Sequence, residues 1–251
     1  MKLADKVAIV TGAGIGIGRE IAREYAREGA RVVVSDFNQE TGEETVQLIK
    51  HAGNQAIFVK ADVANDTDVE NLISQTIASY GKLDILVNNA GISGTIGAFA
   101  DLTIEDWDRV MGVNLRSAFV ACNQAYPELI KNSQSVIINI ASMASLGAGR
   151  GGLAYTAGKH GMLGFTRQLA YMVGSQGIRV NAILPGPIAT PMLKPYLGLS
   201  ELPMNKHIAL SPAGRAGEPE EVAKLALFLA SDDASYIYGA GFVIDGGYSI
   251  F

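Results

Sequence analysis

The chain has a single cysteine, Cys122, which excludes an internal disulfide, and only three histidines, at positions 51, 160 and 207, too scattered to form a zinc motif. No metal site is expected. It also lacks a basic stripe: its formal charge is -5, spread without like-charge blocks, and that balance would repel a phosphate backbone. Nucleic acid is therefore excluded as an expected partner. No uninterrupted apolar run approaches the ~18 to 20 residues of a membrane helix, so no membrane association is expected. The opening "MKLADKVAIVTG" lacks the hydrophobic length and cleavage pattern of a signal peptide. A reducing, cytoplasmic setting is the expectation. Repeats, low-complexity tracts and linkers are missing as well, which leaves one domain over residues 1–251.

What is present is a well-packed composition, 48% hydrophobic and 18% charged. Short β-branched runs, "VAIVT" (7–11), "RVVVS" (31–35), "AIFV" (56–59), "DILV" (84–87), "SVIINI" (135–140), "IRVNAIL" (178–184) and "FVI" (242–244), each read as a strand buried on both faces. Between them lie helix-period segments ending at glycine, such as "GREIAREYAREG" and "VENLISQTIASYG". This alternation predicts a Rossmann-like α/β fold: a doubly wound, mainly parallel sheet of seven strands with helices on both faces. Residues 185–219 hold most of the prolines and are expected to be irregular. So long a connection is either a lid over a site, at about 186–215, or a surface excursion.

The segment "TGAGIGIGRE" (11–20) places glycine at every second position from Gly12 to Gly18. It does not fit the general dinucleotide fingerprint, whose third glycine would fall on Ile17 or Arg19. Its context does fit, because a strand precedes it and a helix follows, offering free N–H groups to a pyrophosphate. About twenty residues on, Asp36 ends the second strand, where a carboxylate accepts hydrogen bonds from a ribose and opposes an added 2′-phosphate. The pair predicts NAD as cofactor.

Ser142 follows the fifth strand, and Tyr155 and Lys159 lie four apart in "YTAGK", on one face of the next helix. A phenol with pKa near ~10 needs roughly 4 kcal/mol of help to act as a base at neutral pH. A lysine cation about 4 Å away at a dielectric of ~20 would supply that. Ser142 would then hold the substrate oxygen while Tyr155 moves the hydroxyl proton. An amphipathic pair at a helix start is the alternative reading.

Together these residues resemble the short-chain dehydrogenase/reductase family over essentially the whole chain. The family's T-G-x-x-x-G-x-G loop is "TGAGIGIG", with Thr11, Gly12, Gly16 and Gly18 at motif positions beside Ile17, and Gly14 at a variable one. Also in order are Asp62 and Val63, "NNAG" at Asn88–Gly91, Asn114, Ser142, Tyr155, Lys159, Pro185, Gly186 and Thr190. The resemblance implies that Asp62 and Val63 hold adenine. Asn89, Ala90 and Gly91 would support the cofactor ribose, and Pro185, the Ile188 backbone and Thr190 would hold the nicotinamide end. It implies that Asn114 continues a proton relay through water to Lys159, which also binds the nicotinamide ribose. Ile15 and Phe37 stand where NADP-using members often carry a base, which agrees with NAD.

Individually, Asn114 could kink its helix, Thr190 could begin one, and Asn88 could be a structural hydrogen-bonder. The expected activity is interconversion of a secondary alcohol, polyol or hydroxy compound and its ketone. A 3-oxoacyl-[acyl-carrier-protein] reductase and a non-catalytic NAD sensor are the alternatives. The pocket is expected from 91–97, 143–153 and 185–210, mostly small and apolar, which predicts an uncharged substrate. Arg150 is the one cation of the 143–153 segment, either an anion ligand or a solvated loop charge. The resemblance further implies a homotetramer. Gly14→Ala is expected to be tolerated far better than Gly16→Ala.

Overall fold

The computed structural model describes residues 1–199 and 202–250. Seven strands, β1 (Val7–Thr11), β2 (Arg31–Asp36), β3 (Ala56–Lys60), β4 (Ile85–Asn88), β5 (Ser135–Ile140), β6 (Ile178–Pro185) and β7 (Gly241–Ile244), form one sheet. Its order is β3-β2-β1-β4-β5-β6-β7, and every neighbouring pair is parallel. The chain order reverses between β1 and β4, the point at which open sheets of this kind open a crevice for ligands.

The helices are α1 (Gly16–Arg27), α2 (Gln39–His51), α3 (Asp66–Tyr80), α4 (Ile104–Met111), α5 (Ser117–Leu129), α6 (Leu153–Val173), α7 (Pro203–Leu210) and α8 (Pro219–Ala230). Strand alternation divides the apolar side chains between two cores. Ala8, Val10, Val32, Val34, Ile85 and Val87 face α1, α2 and α8, while Ile9, Val33, Leu86 and Ile137 face α3, α5 and α6. Covering both faces is what makes β1, β2, β4, β5 and β6 read as continuous β-branched runs.

The two outer strands depart from that expectation. β3 is only partly buried, and β7 alternates exposed and half-buried residues, because each has a neighbour on one side only. Residues 185–219 also depart from it, since they contain α7 and a short 3-10 turn at Lys194–Tyr196. The two ends of this excursion are joined: Ala189 donates to the Gly217 carbonyl at 2.8 Å, and Gly217 donates to Pro187 at 2.9 Å. Ser200 and Glu201, inside the expected lid, lie outside the described residues. Among the described residues no helix is long and apolar enough to cross a membrane.

Candidate active site

Every strand except the last delivers a predicted residue to the carboxyl edge of the sheet: Gly12 after β1, Asp36 ending β2, Asp62 after β3, Asn88 and Asn89 at β4, Ser142 after β5, and Pro185 ending β6. The glycine loop is braced from beneath. Thr11 Oγ1 accepts from the Asn89 and Ala90 amides at 3.0 and 3.2 Å, and Asn89 Nδ2 donates to the Thr11 and Gly12 carbonyls at 2.8 and 3.0 Å. The Asn89 side chain is thus spent on holding the loop.

The helix α1 that follows begins without a side-chain cap and without an acidic residue in its first turn. By contrast, α2 and α3 are capped by the carboxamides of Asn38 and Asn65. An uncapped N-terminus at the crevice offers its N–H groups and dipole to an anion, so these residues fit a dinucleotide's pyrophosphate. Gly12 and Gly16 adopt φ of +61° and +59°, a conformation costly for residues with a Cβ. A Cβ on Gly18 would overlap the Gly12 carbonyl oxygen and the Asn89 amide, so helix and loop touch only because it has none.

Gly14 is more crowded than a variable position implies, whereas Gly16 is strained by any Cβ because of its φ of +59°. The Gly14 N–H donates to Asp36 Oδ2 at 2.8 Å, and its carbonyl accepts from Arg19 Nε at 2.8 Å and Thr45 Oγ1 at 3.2 Å. An added Cβ would sit 2.8 Å from the same Asp36 oxygen and overlap Thr41 Oγ1. Gly16 would instead meet the Thr190 methyl at 3.3 Å. Gly14→Ala is therefore expected to push the Asp36 carboxylate aside and weaken dinucleotide binding about tenfold, in line with ~1 to 3 kcal/mol for overpacking. Gly18→Ala, which overlaps backbone, should abolish binding. Fluorescence titration with NADH checks both, and wild-type affinity in Gly14→Ala would sink the assignment.

Asp36 is buried, and its Oδ1 also accepts from the Asn38 amide at 3.0 Å. Next to it, Phe37 is exposed and brings no charge. Asp62 lies exposed beyond β3, accepting from Ala64 at 3.0 Å, with Val63 buried beside it.

Ser142 follows β5 and opens a 3-10 turn, Met143–Ser145, in which the Ala144 amide donates to Ser142 Oγ at 3.1 Å. The first turns of α6 bring the Tyr155 phenol close to it. Burial pushes the Tyr155 phenol above its usual range, and the neighbouring Ser142 hydroxyl partly offsets that. Lys159 points its ammonium past the phenol toward β5. Its Nζ donates to the Ile140 carbonyl at 2.7 Å, stands 5.7 Å from the Tyr155 ring centre, and is itself pushed down to about 8 by burial.

Asn114 lies in a π-helical turn, Gly112–Arg116, that widens the junction of α4 and α5. Its buried carboxamide accepts from the Ile92 amide and donates to the Ile92 carbonyl, both at 2.8 Å. A Cβ on Gly91 would lie 3.3 Å from Asn114 Oδ1 and 3.5 Å from Lys159 Nζ, so the three residues meet at one point. Thr190 follows Ile188 into a turn, its amide donating to the Ile188 carbonyl at 2.7 Å.

Sequence reasoning missed several participants. Gly151 packs on the Tyr155 ring, where a Cβ would come within 2.6 Å of it. Asn88 Nδ2 donates to Asn139 Oδ1 at 2.8 Å, and Asn139 Nδ2 donates to Thr166 Oγ1 at 2.9 Å. This buried polar chain crosses from β4 to α6 beneath the site; its one signal was an asparagine within the apolar run "SVIINI". Beside the start of α6 opens a cavity of about 170 Å³, lined by Thr95, Phe99, Ile104, Trp107, Leu153 and Ala154. Arg150 is half-buried and donates to the Met143 carbonyl at 3.1 Å.

A parallel doubly wound sheet with a Ser-Tyr-Lys cluster at its carboxyl edge and a glycine loop at its switch point defines a Rossmann-type oxidoreductase site. A family model described as "Enoyl-(Acyl carrier protein) reductase" matches residues 12–249. Cyclohexanol dehydrogenase of Acinetobacter sp. is 38% identical, covering 99% of this chain and 96% of that one. 2-(R)-hydroxypropyl-CoM dehydrogenase of Xanthobacter autotrophicus is 41% identical over 98% and 99%. The solved structure of levodione reductase superposes with a TM-score of 0.93 at 32% identity, covering 99% of both chains. The chain belongs to the short-chain dehydrogenase/reductase family, whose dehydrogenases use nicotinamide cofactors.

Proposed function

We propose that the protein is an NAD-dependent dehydrogenase that interconverts an uncharged secondary alcohol and its ketone. The observation that carries this is the convergence of Ser142, Tyr155 and buried Lys159 at the carboxyl edge of the sheet. Gly12, Gly16, Ile17 and Gly18 would hold the pyrophosphate, Asp36 the adenosine ribose, and Asp62 with Val63 the adenine. Ala90, Gly91, Pro185, Ile188 and Thr190 would line the nicotinamide half. Bound NAD supplies the hydride acceptor.

The chain's own residues handle the proton. Ser142 Oγ donates to the substrate oxygen and fixes it against Tyr155, whose phenolate form takes the hydroxyl proton. Lys159, with its pKa brought down to about 8, is matched to pass that proton on near neutral pH. Asn114, spent on Ile92 through its side chain, keeps the turn beside Lys159 open for the water relay.

Substrate class rests on the cavity and on Arg150. The lining is mainly apolar, with Phe99, Leu102, Ile104, Trp107 and Leu153 beside two threonines and an Asp106 already paired with Arg109, and the Arg150 guanidinium is turned toward its own loop. The relatives named for cyclohexanol and for cyclopentanol (the latter from Comamonas sp., 38% identical) support the same reading. Exposed Trp107, Phe119, Tyr171, Met172 and Val243 on α4, α5, α6 and β7 support a homotetramer.

A panel of secondary alcohols, polyols and hydroxyacids with NAD, followed by NADH absorbance, tests the activity. Neutral cyclic or aliphatic alcohols should reduce NAD. Arg150→Ala should keep the best substrate's kcat/KM within about fivefold, the weight of a solvated charge worth up to ~1 kcal/mol. Turnover of hydroxyacids alone, lost in Arg150→Ala, would reverse the substrate class. NADH binding with no turnover across the panel would favour a sensor.

A further inference from the structure

Ser142 and the Tyr155–Lys159 pair sit on different elements joined by residues 146–152, a stretch with glycines at 147, 149, 151 and 152 and no regular structure. Such a connection cannot fix how far α6 turns about its axis. The helix is uncapped at Gly152, so its start is not anchored there by a side chain either. Two hydrogen bonds do tie this part of α6 to the segment following β5. One is Lys159 Nζ to the Ile140 carbonyl at 2.7 Å, made by a side chain that the proposed proton transfer requires to move charge. The other comes from a residue with no assigned role. Ser145, buried at 5% exposure, donates its hydroxyl to the Lys159 main-chain carbonyl at 2.6 Å. Its amide donates back to the Ser142 carbonyl at 2.9 Å, which closes the 3-10 turn on the serine itself.

We propose that Ser145 is a positioning residue, a clamp that fixes the first turns of α6 against the segment following β5, where the Asn139–Thr166 bond two turns further on does not reach, and so sets Tyr155 beside Ser142. The proposal rests on the dehydrogenase reading above. Lys159 lies one turn beyond Tyr155, so fixing its peptide fixes the phase of the tyrosine. Side-chain tips lie ~5 to 6 Å from a helix axis, so a rotation of about 10° moves one by about 1 Å. A misplacement of that size costs up to ~100-fold in rate. The Lys159 carbonyl retains its place in the helix without Ser145, so the clamp is not needed to satisfy the fold. Its geometric effect falls on Ser142 and Tyr155 and leaves the glycine loop and Asp36 untouched.

The test compares Ser145→Ala, Ser145→Cys, which keeps the size but is a weak donor, and Ser145→Thr, which keeps the hydroxyl. Ala and Cys are expected to lower kcat about 10- to 100-fold with the Kd for NADH within about twofold, because only the reacting geometry is disturbed. The acid limb of kcat for alcohol oxidation should move to higher pH in both, while Ser145→Thr recovers kcat and profile. Wild-type kcat and pH profile in Ser145→Ala or Ser145→Cys overturn the clamp, as does equal loss of kcat and NADH affinity. If the added methyl unfolds Ser145→Thr, seen as loss of the thermal transition, the Ala and Cys pair decides by the same criteria. Tyr155→Phe run alongside separates the two proposals. Full activity there overturns the chemistry, whereas an inactive Tyr155→Phe beside a fully active Ser145→Ala overturns only the clamp.

Discussion

Tyr155→Phe is expected to lower kcat by about 10³- to 10⁴-fold, at the upper range for loss of a positioned acid/base, while NADH still binds. The substitution deletes one oxygen and leaves the ring that packs on Gly151 in place. Loss of the hydroxyl's polar interactions costs at most about 1 kcal/mol of stability, so the variant should stay folded. The sign of the pH dependence follows from the burial that pushes the phenol up. Oxidation needs the phenolate, so kcat in that direction climbs as pH rises toward the tyrosine's pKa. Reduction needs the protonated phenol, and its kcat falls over the same interval. In Tyr155→Phe both limbs should vanish from the residual rate. Steady-state kinetics between pH 6 and 10, about the span of the groups involved, checks this; full turnover in the variant sinks the mechanism.

NADPH is expected to be used about 10²- to 10³-fold less well than NADH in kcat/KM. A carboxylate and a phosphate charge about 4 Å apart at an effective dielectric of ~20 repel by about 4 kcal/mol, and water at the cleft mouth reduces that. Asp36 cannot readily turn away, because its two oxygens accept from the Gly14 and Asn38 amides. Arg19 reaches the same corner, but its guanidinium is committed to the Gly14 carbonyl and the Glu44 carboxylate. Asp36→Asn retains an acceptor and removes the charge, so it should narrow the preference to about tenfold or less. Paired initial rates with the two reduced cofactors read this directly. Equal use of both by the unaltered protein would remove Asp36 as the selector.

The central strands were legible because burial on both faces leaves an unbroken β-branched run, and Val7–Thr11 and Ser135–Ile140 coincide with theirs. β7 was legible as a strand but not as an exposed one, since which strand ends at the sheet edge depends on pairing order. The site's family positions were legible through order and spacing. Gly14 was not, because its crowding comes from Asp36 and Thr41, twenty-two and twenty-seven residues away in the chain. Lys159 was legible as a partner of Tyr155, but the direction of its ammonium depends on the Ile140 carbonyl, which no spacing rule reports. Ser145 had no sequence signal, being one more small residue in "MASLGAG".

The paired stem at Ile188 and Gly217 gives residues 189–216 the character of an interchangeable module. Closure of the loop is secured at its base, so changes in its length act only logarithmically, about 0.6 kcal/mol for each doubling. If this segment forms the lid of the proposed site, transplanting it between relatives, cut at the stem, should alter the substrate range while the sheet keeps its fold.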